Sequence, residues 1–181
     1  FTLPARVTQP VWLNIKVPDN AKPGTYTGFV TMKAEGQKSI KLQLRINVLN
    51  QTLPQPSEWG FHLDLWQNPY AVARFHDVPL WSDRHFELMK PLMKMLADAG
   101  QKVITATIMH RPWAGQTYDP FHSMIGKQKN LNGTWEYNYE VFDKWISFMM
   151  FEVGITEQIN CYTIIPWALN FDYYDVASNS V

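Results

Sequence analysis

Side chains that could bind or transform a polar ligand gather in three stretches of this sequence. Asp64, Trp66, Gln67, Asn68, Tyr70 and Arg74 form the first. His110, Arg111, Trp113, Gln116, Tyr118 and Asp119 form the second, and Trp167, Asn170, Asp172, Tyr173, Tyr174 and Asp175 the third. Aromatic rings mixed with amides and carboxylates suit a carbohydrate. Its C–H face packs on a ring while its hydroxyls exchange hydrogen bonds with Asn, Gln, Asp, Arg and His. The same rings have a plainer use, packing loops onto the rim of a fold. The candidate sugar contacts are Asp64, Trp66, Gln67, His110, Trp113, Gln116 and Trp167.

Each candidate carries two readings. Asp64, flanked by Leu63 and Leu65, is either a catalytic or sugar-binding carboxylate or a buried Asp that caps loop N–H groups. His110 is either a ligand contact or proton shuttle, or a satisfied rim histidine. Cys161 sits between Asn160 and Tyr162 in an apolar run and reads as a buried core thiol, since a reactive one needs exposure and an electropositive setting. Met89, Met93 and Met95 read as core filler, and Lys127-Gln128-Lys129 as a solvated loop. His62-Leu63-Asp64 lacks the second histidine of a His-x-His site, and His76, His85, His110 and His122 show no i,i+4 pairing, so no metal is expected. Neither a G-x-G-x-x-G nor a phosphate loop occurs, and no cofactor is expected. Glycosidases need paired carboxylates, yet the 16 acidic residues are scattered and no Asp and Glu are adjacent.

These residues must be held by something, and the hydrophobic pattern says what. Val11, Leu13, Ile15 and Val17 alternate, Thr25–Met32 is β-branched and aromatic, and Ile40, Leu42, Leu44, Ile46 and Val48 alternate again. That reads as antiparallel strands, with a Pro23-Gly24 bend and a hairpin loop at 35–38. A sandwich takes roughly seven strands and about 100 residues, so residues 1–52 are expected to be the C-terminal strands of a β-sandwich with its other half upstream. The Leu53-Pro54-Gln55-Pro56-Ser57 run forbids helix and reads as a linker over 53–57. Residues 58–181 then alternate strand and helix. Strands are expected at 59–66, 103–109 and 159–165, the last buried on both faces. Helices are expected at 84–99, where Pro91 either kinks the helix or delays its start, and across Val141 to Glu152. The three polar stretches follow the strands in long connections, while helix-to-strand connections are short. In a (β/α)8 barrel the long strand-to-helix loops build the working face. The fold class expected is therefore a partial β-sandwich followed by the first three βα units of a TIM barrel.

Composition narrows the chemistry. Of 181 residues, 46% are hydrophobic, which excludes global disorder. Sixteen basic and sixteen acidic residues balance, with no basic stripe, so nucleic acid is not the expected partner. No apolar run approaches the ~20 residues of a membrane span. One cysteine excludes a disulfide framework within these residues, and aromatic residues make up 14%.

Several longer strings are familiar. Phe61-His62-Leu63-Asp64-Leu65-Trp66-Gln67-Asn68-Pro69-Tyr70, Pro79-Leu80-Trp81-Ser82, the run from Ala97 to Ile104, Phe142-Asp143-Lys144-Trp145 and Ile159-Asn160-Cys161-Tyr162, with the earlier Val17-Pro18 and Pro23-to-Gly28 segments, resemble glycoside hydrolase family 123. The resemblance covers nearly the whole chain. It implies a bacterial, periplasmic or secreted protein with a β-sandwich and a (β/α)8 barrel, whose partner is a glycan. It also implies an exo-acting N-acetyl-β-galactosaminidase. In that mechanism the substrate's 2-acetamido oxygen attacks the anomeric carbon, an Asp steadies the acetamido group and an adjacent Glu is the general acid/base. No residue of this sequence matches that Asp-Glu pair, so no catalytic residue is carried over. The rival reading is a non-catalytic glycan-binding barrel.

Overall fold

A computed structural model describes residues 2, 4, 6–113, 115–162 and 171–181. The chain divides into two compact units, Phe1–Leu53 and Pro54–Val181, at the start of the proline-rich run.

In the first unit, β1 (Gly24–Met32) and β2 (Ile40–Val48) pair antiparallel, from Gly24 opposite Val48 to Met32 opposite Ile40. Cross-strand contacts follow that register. The Thr25 hydroxyl donates to Asn47 Oδ1 at 2.9 Å, and Lys41 Nζ lies 4.0 Å from the Phe29 ring centre. The strand expected over 11–17 does not form. Its apolar side chains are exposed, and among the described residues no ladder engages it. Alternation encodes which face can be buried, but a strand also needs a free edge in register.

The second unit is built on β3 (Val103–Thr107), whose five residues are all buried. It pairs in parallel with β6 (Gln158–Tyr162), Val103 opposite Gln158 and Thr107 opposite Tyr162. Between them in sequence runs α3 (Glu140–Ser147), continued by a π-helical turn over Phe148–Val153 that ends at Gly154 in the left-handed region. This is the expected strand–helix–parallel-strand unit. The indole N–H of the buried Trp145 on α3 donates to the carbonyl of Thr105 at 3.0 Å. Met89 and Met93 from α2 (Asp83–Asp98), with Ile104, Trp145, Phe148 and Met149, form the main core.

Helix α2 starts where the sequence indicates, with the Ser82 hydroxyl accepting the N–H of His85. Pro91 lies inside the helix, neither ending nor delaying it. It sits on the solvent face, so the carbonyl of Glu87, which loses its helical donor, can turn to water. Met95, on that outer side, is 68% exposed and does not fill the core. Gly100 follows at φ +87°; a Cβ there would come 2.9 Å from the Trp59 ring, so only glycine fits.

The strand expected at 59–66 shrinks to one parallel bridge, Leu63 with Gln101. Beyond it the chain reaches β3 through side-chain amides. The N–H of Leu65 donates to Gln101 Oε1 at 2.9 Å, and the N–H of Thr105 donates to Gln67 Oε1 at 2.7 Å. The long connections also hold more order than the sequence suggests. Helix α1 (Pro69–His76) is capped by Asn68, whose side chain accepts the N–H of Ala71. Strands β4 (Gly126–Lys129) and β5 (Trp135–Asn138) form a hairpin, and β7 (Tyr174–Asp175) adds in parallel to β4.

Strand β6 departs from the expected double burial over its described residues, while 163–165 of the strand expected at 159–165 lie outside them. Gln158, Ile159 and Cys161 are exposed because β3 alone pairs with it among the described residues. Cys161 is accordingly an exposed free thiol, not a core one. No helix of the described residues is long and apolar enough to cross a membrane.

Candidate functional site

The C-terminal ends of β3 and β6 and the 63–67 segment bring a cluster of aromatic residues to one place. Trp66 stands between Leu65 and Gln67, which are both bonded to other residues, Trp113 stands in the loop after β3, and Tyr162 ends β6. The Trp66 and Trp113 rings are 5.4 Å apart, Trp66 and Tyr162 5.4 Å, and Trp113 and Tyr162 5.2 Å. Phe121 supports Trp113 from behind at 4.5 Å. The two tryptophans differ in environment: Trp113 is 8% exposed and Trp66 58%. Trp113 is thus a packed wall, and Trp66 presents ring surface to solvent.

Two clefts meet at Trp113. One, of about 280 Å³, is lined by Trp66, Gln67, Asn68, Trp113 and Gln116 among others. The second, of about 450 Å³, is lined by His110, Arg111, Trp113, Tyr118, Asp119 and Asp172 among others. Of the candidates drawn from sequence, Trp66, Gln67, Trp113 and Gln116 share the first and His110 joins at the second. Trp167 lies outside the described residues, as does Asn170.

His110 is largely buried, and its Nδ1 is 3.1 Å from Asp172 Oδ2. Burial holds its pKa below the ordinary histidine value; Asp172 opposes that shift, while His122 and Arg111 add to it. The neutral ring is therefore favoured. A carboxylate at Nδ1 keeps the proton there and leaves Nε2 as an acceptor for a hydroxyl.

Asp64 takes neither sequence reading in full. Its Oδ2 accepts from the Asn160 side chain at 3.1 Å rather than from loop N–H groups. Its Oδ1 is buried with no hydrogen-bond partner among the described residues. Burial first, and then the nearby Asp64 charge, push the Tyr162 phenol up.

Gln67 is turned away from any ligand role. Its side chain is buried, with Nε2 donating to Leu65 O and to Val103 O, and Oε1 receiving Thr105. Gln116 is exposed, on a turn whose N–H bonds back to Trp113 O at 2.9 Å.

The loop after β3 is pinned by pairs that sequence reasoning did not single out. Arg74 on α1 grips Asp119 with two nitrogens, at 2.6 and 3.2 Å, and its guanidinium lies 4.5 Å from the Tyr118 ring centre. Lys127 belongs to β4 rather than to a solvated loop. Its ammonium donates to Ile108 O, Ser123 Oγ and Ile125 O at 2.9, 2.8 and 3.3 Å. Burial lowers its pKa, and Asp172 opposes. Nothing in Lys127-Gln128-Lys129 signals this, because the three acceptors are set by the loop's path. Among the described residues no group of three or more His, Cys, Asp or Glu side chains is placed to hold a metal ion.

Comparison with known proteins bears on what such a site is for. Residues 66–181 match the glycoside hydrolase 123 catalytic domain, and residues 1–34 match the glycoside hydrolase 123 N-terminal domain. A solved structure of a family 123 glycoside hydrolase from Clostridium perfringens, described for glycolipid glycan hydrolysis, is similar at a TM-score of 0.85 and 37% identity. The match covers 92% of this chain and 30% of that one, so the chain spans less than a third of that enzyme's length. A comparison with curated proteins returned no match. On the catalytic-domain match over most of its length and this identity, the chain belongs to glycoside hydrolase family 123.

Proposed function

We propose that this chain is part of a glycosidase that removes terminal N-acetyl-β-galactosamine from glycans by a substrate-assisted, retaining mechanism. The observation that carries the reading is the aromatic wall of Trp66, Trp113 and Tyr162 beside His110 and Asp172, at the C-terminal ends of two parallel strands. That is where a (β/α)8 barrel places its site. The β3–α3–β6 unit supports a barrel for residues 58–181, and the β1–β2 hairpin supports a sandwich for residues 1–52.

In this reading Trp66 takes the C–H face of the sugar and Trp113 backs it. Neutral His110 accepts a hydrogen bond from a sugar hydroxyl at Nε2, and Gln116 adds an amide at the rim. The glycosidic C–O bond breaks as the substrate's acetamido oxygen bonds to the anomeric carbon, and a carboxylic acid passes its proton to the leaving oxygen. Water then opens the oxazoline and retains the anomeric configuration. The Asp-Glu pair for those steps lies outside this sequence. The Clostridium enzyme's description makes a lipid-linked glycan the first natural substrate to try.

Nitrophenol release from an aryl N-acetyl-β-galactosaminide by the whole protein tests the proposal. Turnover with retained configuration is expected. No release from any aryl hexosaminide between about pH 5 and about pH 8, the range in which a carboxylic acid and a histidine act as acid and base, overturns it.

A further inference from the structure

A second aromatic recess lies beside the site. Met109, Lys127, Trp135, Tyr137 and Phe171 line a cavity of about 180 Å³ on the β4–β5 hairpin. Trp135 is 38% exposed, Tyr137 53% and Phe171 43%. Trp135 also packs edge-on to Tyr173 at 5.0 Å, and Phe171 lies 6.1 Å from Trp135. These rings contribute little to the buried core, whose large members belong to other elements. Clustered exposed rings of this kind mark a binding surface.

The recess offers ring faces and no charge. The one cation lining it, Lys127, directs its ammonium to Ile108 O, Ser123 Oγ and Ile125 O, so its alkyl stem is what the recess meets. A phosphate or sulfate would find no free positive partner in that lining. A pyranose needs none: it needs a ring to lie on and polar edges to touch. The Trp135 indole N–H and the Tyr137 hydroxyl make no side-chain hydrogen bond among the described residues, which leaves both for a ligand. The recess also neighbours the cleft. Met109 precedes His110 in the chain and Phe171 precedes Asp172, so each of the two segments gives one residue to the recess and the next to the cleft.

We infer that the Trp135–Tyr137–Phe171 recess binds a further, neutral sugar residue of the same glycan, outside the residue that is cleaved. This rests on the glycosidase reading. It makes the hairpin a determinant of preference for longer chains, separate from the chemistry.

The test compares one sugar with several. In the whole protein, Trp135→Ala and Tyr137→Ala should leave kcat and KM for an aryl N-acetyl-β-galactosaminide unchanged. Each should raise KM for an oligosaccharide with the same terminal sugar by about tenfold, the scale of one lost aromatic contact. Trp135→Phe should restore most of the difference. An unchanged oligosaccharide KM, or an equal loss on both substrates in Tyr137→Ala, overturns the inference. The aryl substrate serves as the folding control. If the unaltered protein hydrolyses neither substrate, the glycosidase reading fails separately, and titration calorimetry with the oligosaccharide decides the recess. Weaker binding by Tyr137→Ala then upholds it, and unchanged binding refutes it.

Discussion

Gln67 replaces a backbone ladder for Thr105: its Oε1 takes the Thr105 N–H at 2.7 Å while its Nε2 donates to Val103 O. Together with Gln101, which bonds Leu65 and Val103 in the same manner, it ties the 63–67 segment to β3 where the main-chain pairing has stopped. The position of Trp66 therefore depends on two buried carboxamides.

Replacing Gln67 by Leu strands the buried N–H of Thr105 on β3, while Val103 O keeps its bond from Gln101. One unsatisfied buried group costs about 1–3 kcal/mol, so Gln67→Leu should lower stability by about that amount, read as a drop in the urea midpoint with unchanged slope. Sugar affinity, corrected to the folded fraction, should change little. A large loss of affinity in a protein of full stability would make Gln67 a direct contact instead.

The two tryptophans of the wall should separate by the same logic. Trp66 is largely exposed, so Trp66→Ala should weaken sugar binding about tenfold with under about 1 kcal/mol lost in stability. Trp113 is packed between Trp66, Phe121 and Tyr162, so Trp113→Ala should cost about 3–5 kcal/mol. Paired chemical denaturation and glycan titration of the two variants reads both quantities. Equal stability losses would contradict the assigned environments.

Acid should destabilise this fold through His85. The side chain is fully buried, its Nδ1 accepting the Trp81 N–H at 3.1 Å and its Nε2 donating to Pro69 O at 2.9 Å. A second ring proton would face the Trp81 N–H, donor against donor. Burial lowers the pKa, with the Pro69 bond a smaller opposing effect. The folded value lies below the unfolded one of about 6.5, so as pH falls through about 6.5 the unfolded state binds the proton first and stability declines. His110 adds in the same direction. Unfolding midpoints from about pH 8 to about pH 5 should fall, and His85→Gln should flatten the fall while lowering the plateau. A midpoint that rises towards acid would refute this account.

What sequence revealed and what it hid divide along one physical line. Local patterns were legible: the β-branched and aromatic run of β1, the alternation of β2, and the Met89 and Met93 face of α2. Partner-dependent features were not. Residues 11–17 alternate but engage no ladder among the described residues, and 59–66 alternate but hand most of their pairing to glutamines. Helix α1 has eight residues and a polar outer side, too short for a clear period, while β4 reads as a run of charged and amide residues. Loop position picked out Trp66, Trp113, Gln116 and His110, which line two adjoining clefts. It gave no hint that His110 would meet Asp172 or Arg74 would meet Asp119, because pairing across such separations is set by the fold.

The Arg74–Asp119 clamp makes the last prediction. Asp119 is buried and Arg74 half exposed, and the pair fixes the loop that carries Trp113, Gln116 and Tyr118. A lysine keeps the charge but cannot make two parallel bonds to one carboxylate, nor stack its plane on Tyr118. Arg74→Lys should therefore loosen the loop while α1 and the core persist. The expected result is a several-fold rise in KM for the aryl glycoside, kcat within about twofold, and faster amide exchange confined to residues near 113–122. Arg74→Ala should exceed it in all three, because it leaves a buried carboxylate without its cation. Unchanged exchange in Arg74→Lys would mean that the loop is held by its aromatic packing, with Phe121 and Tyr70 as the residues to alter next.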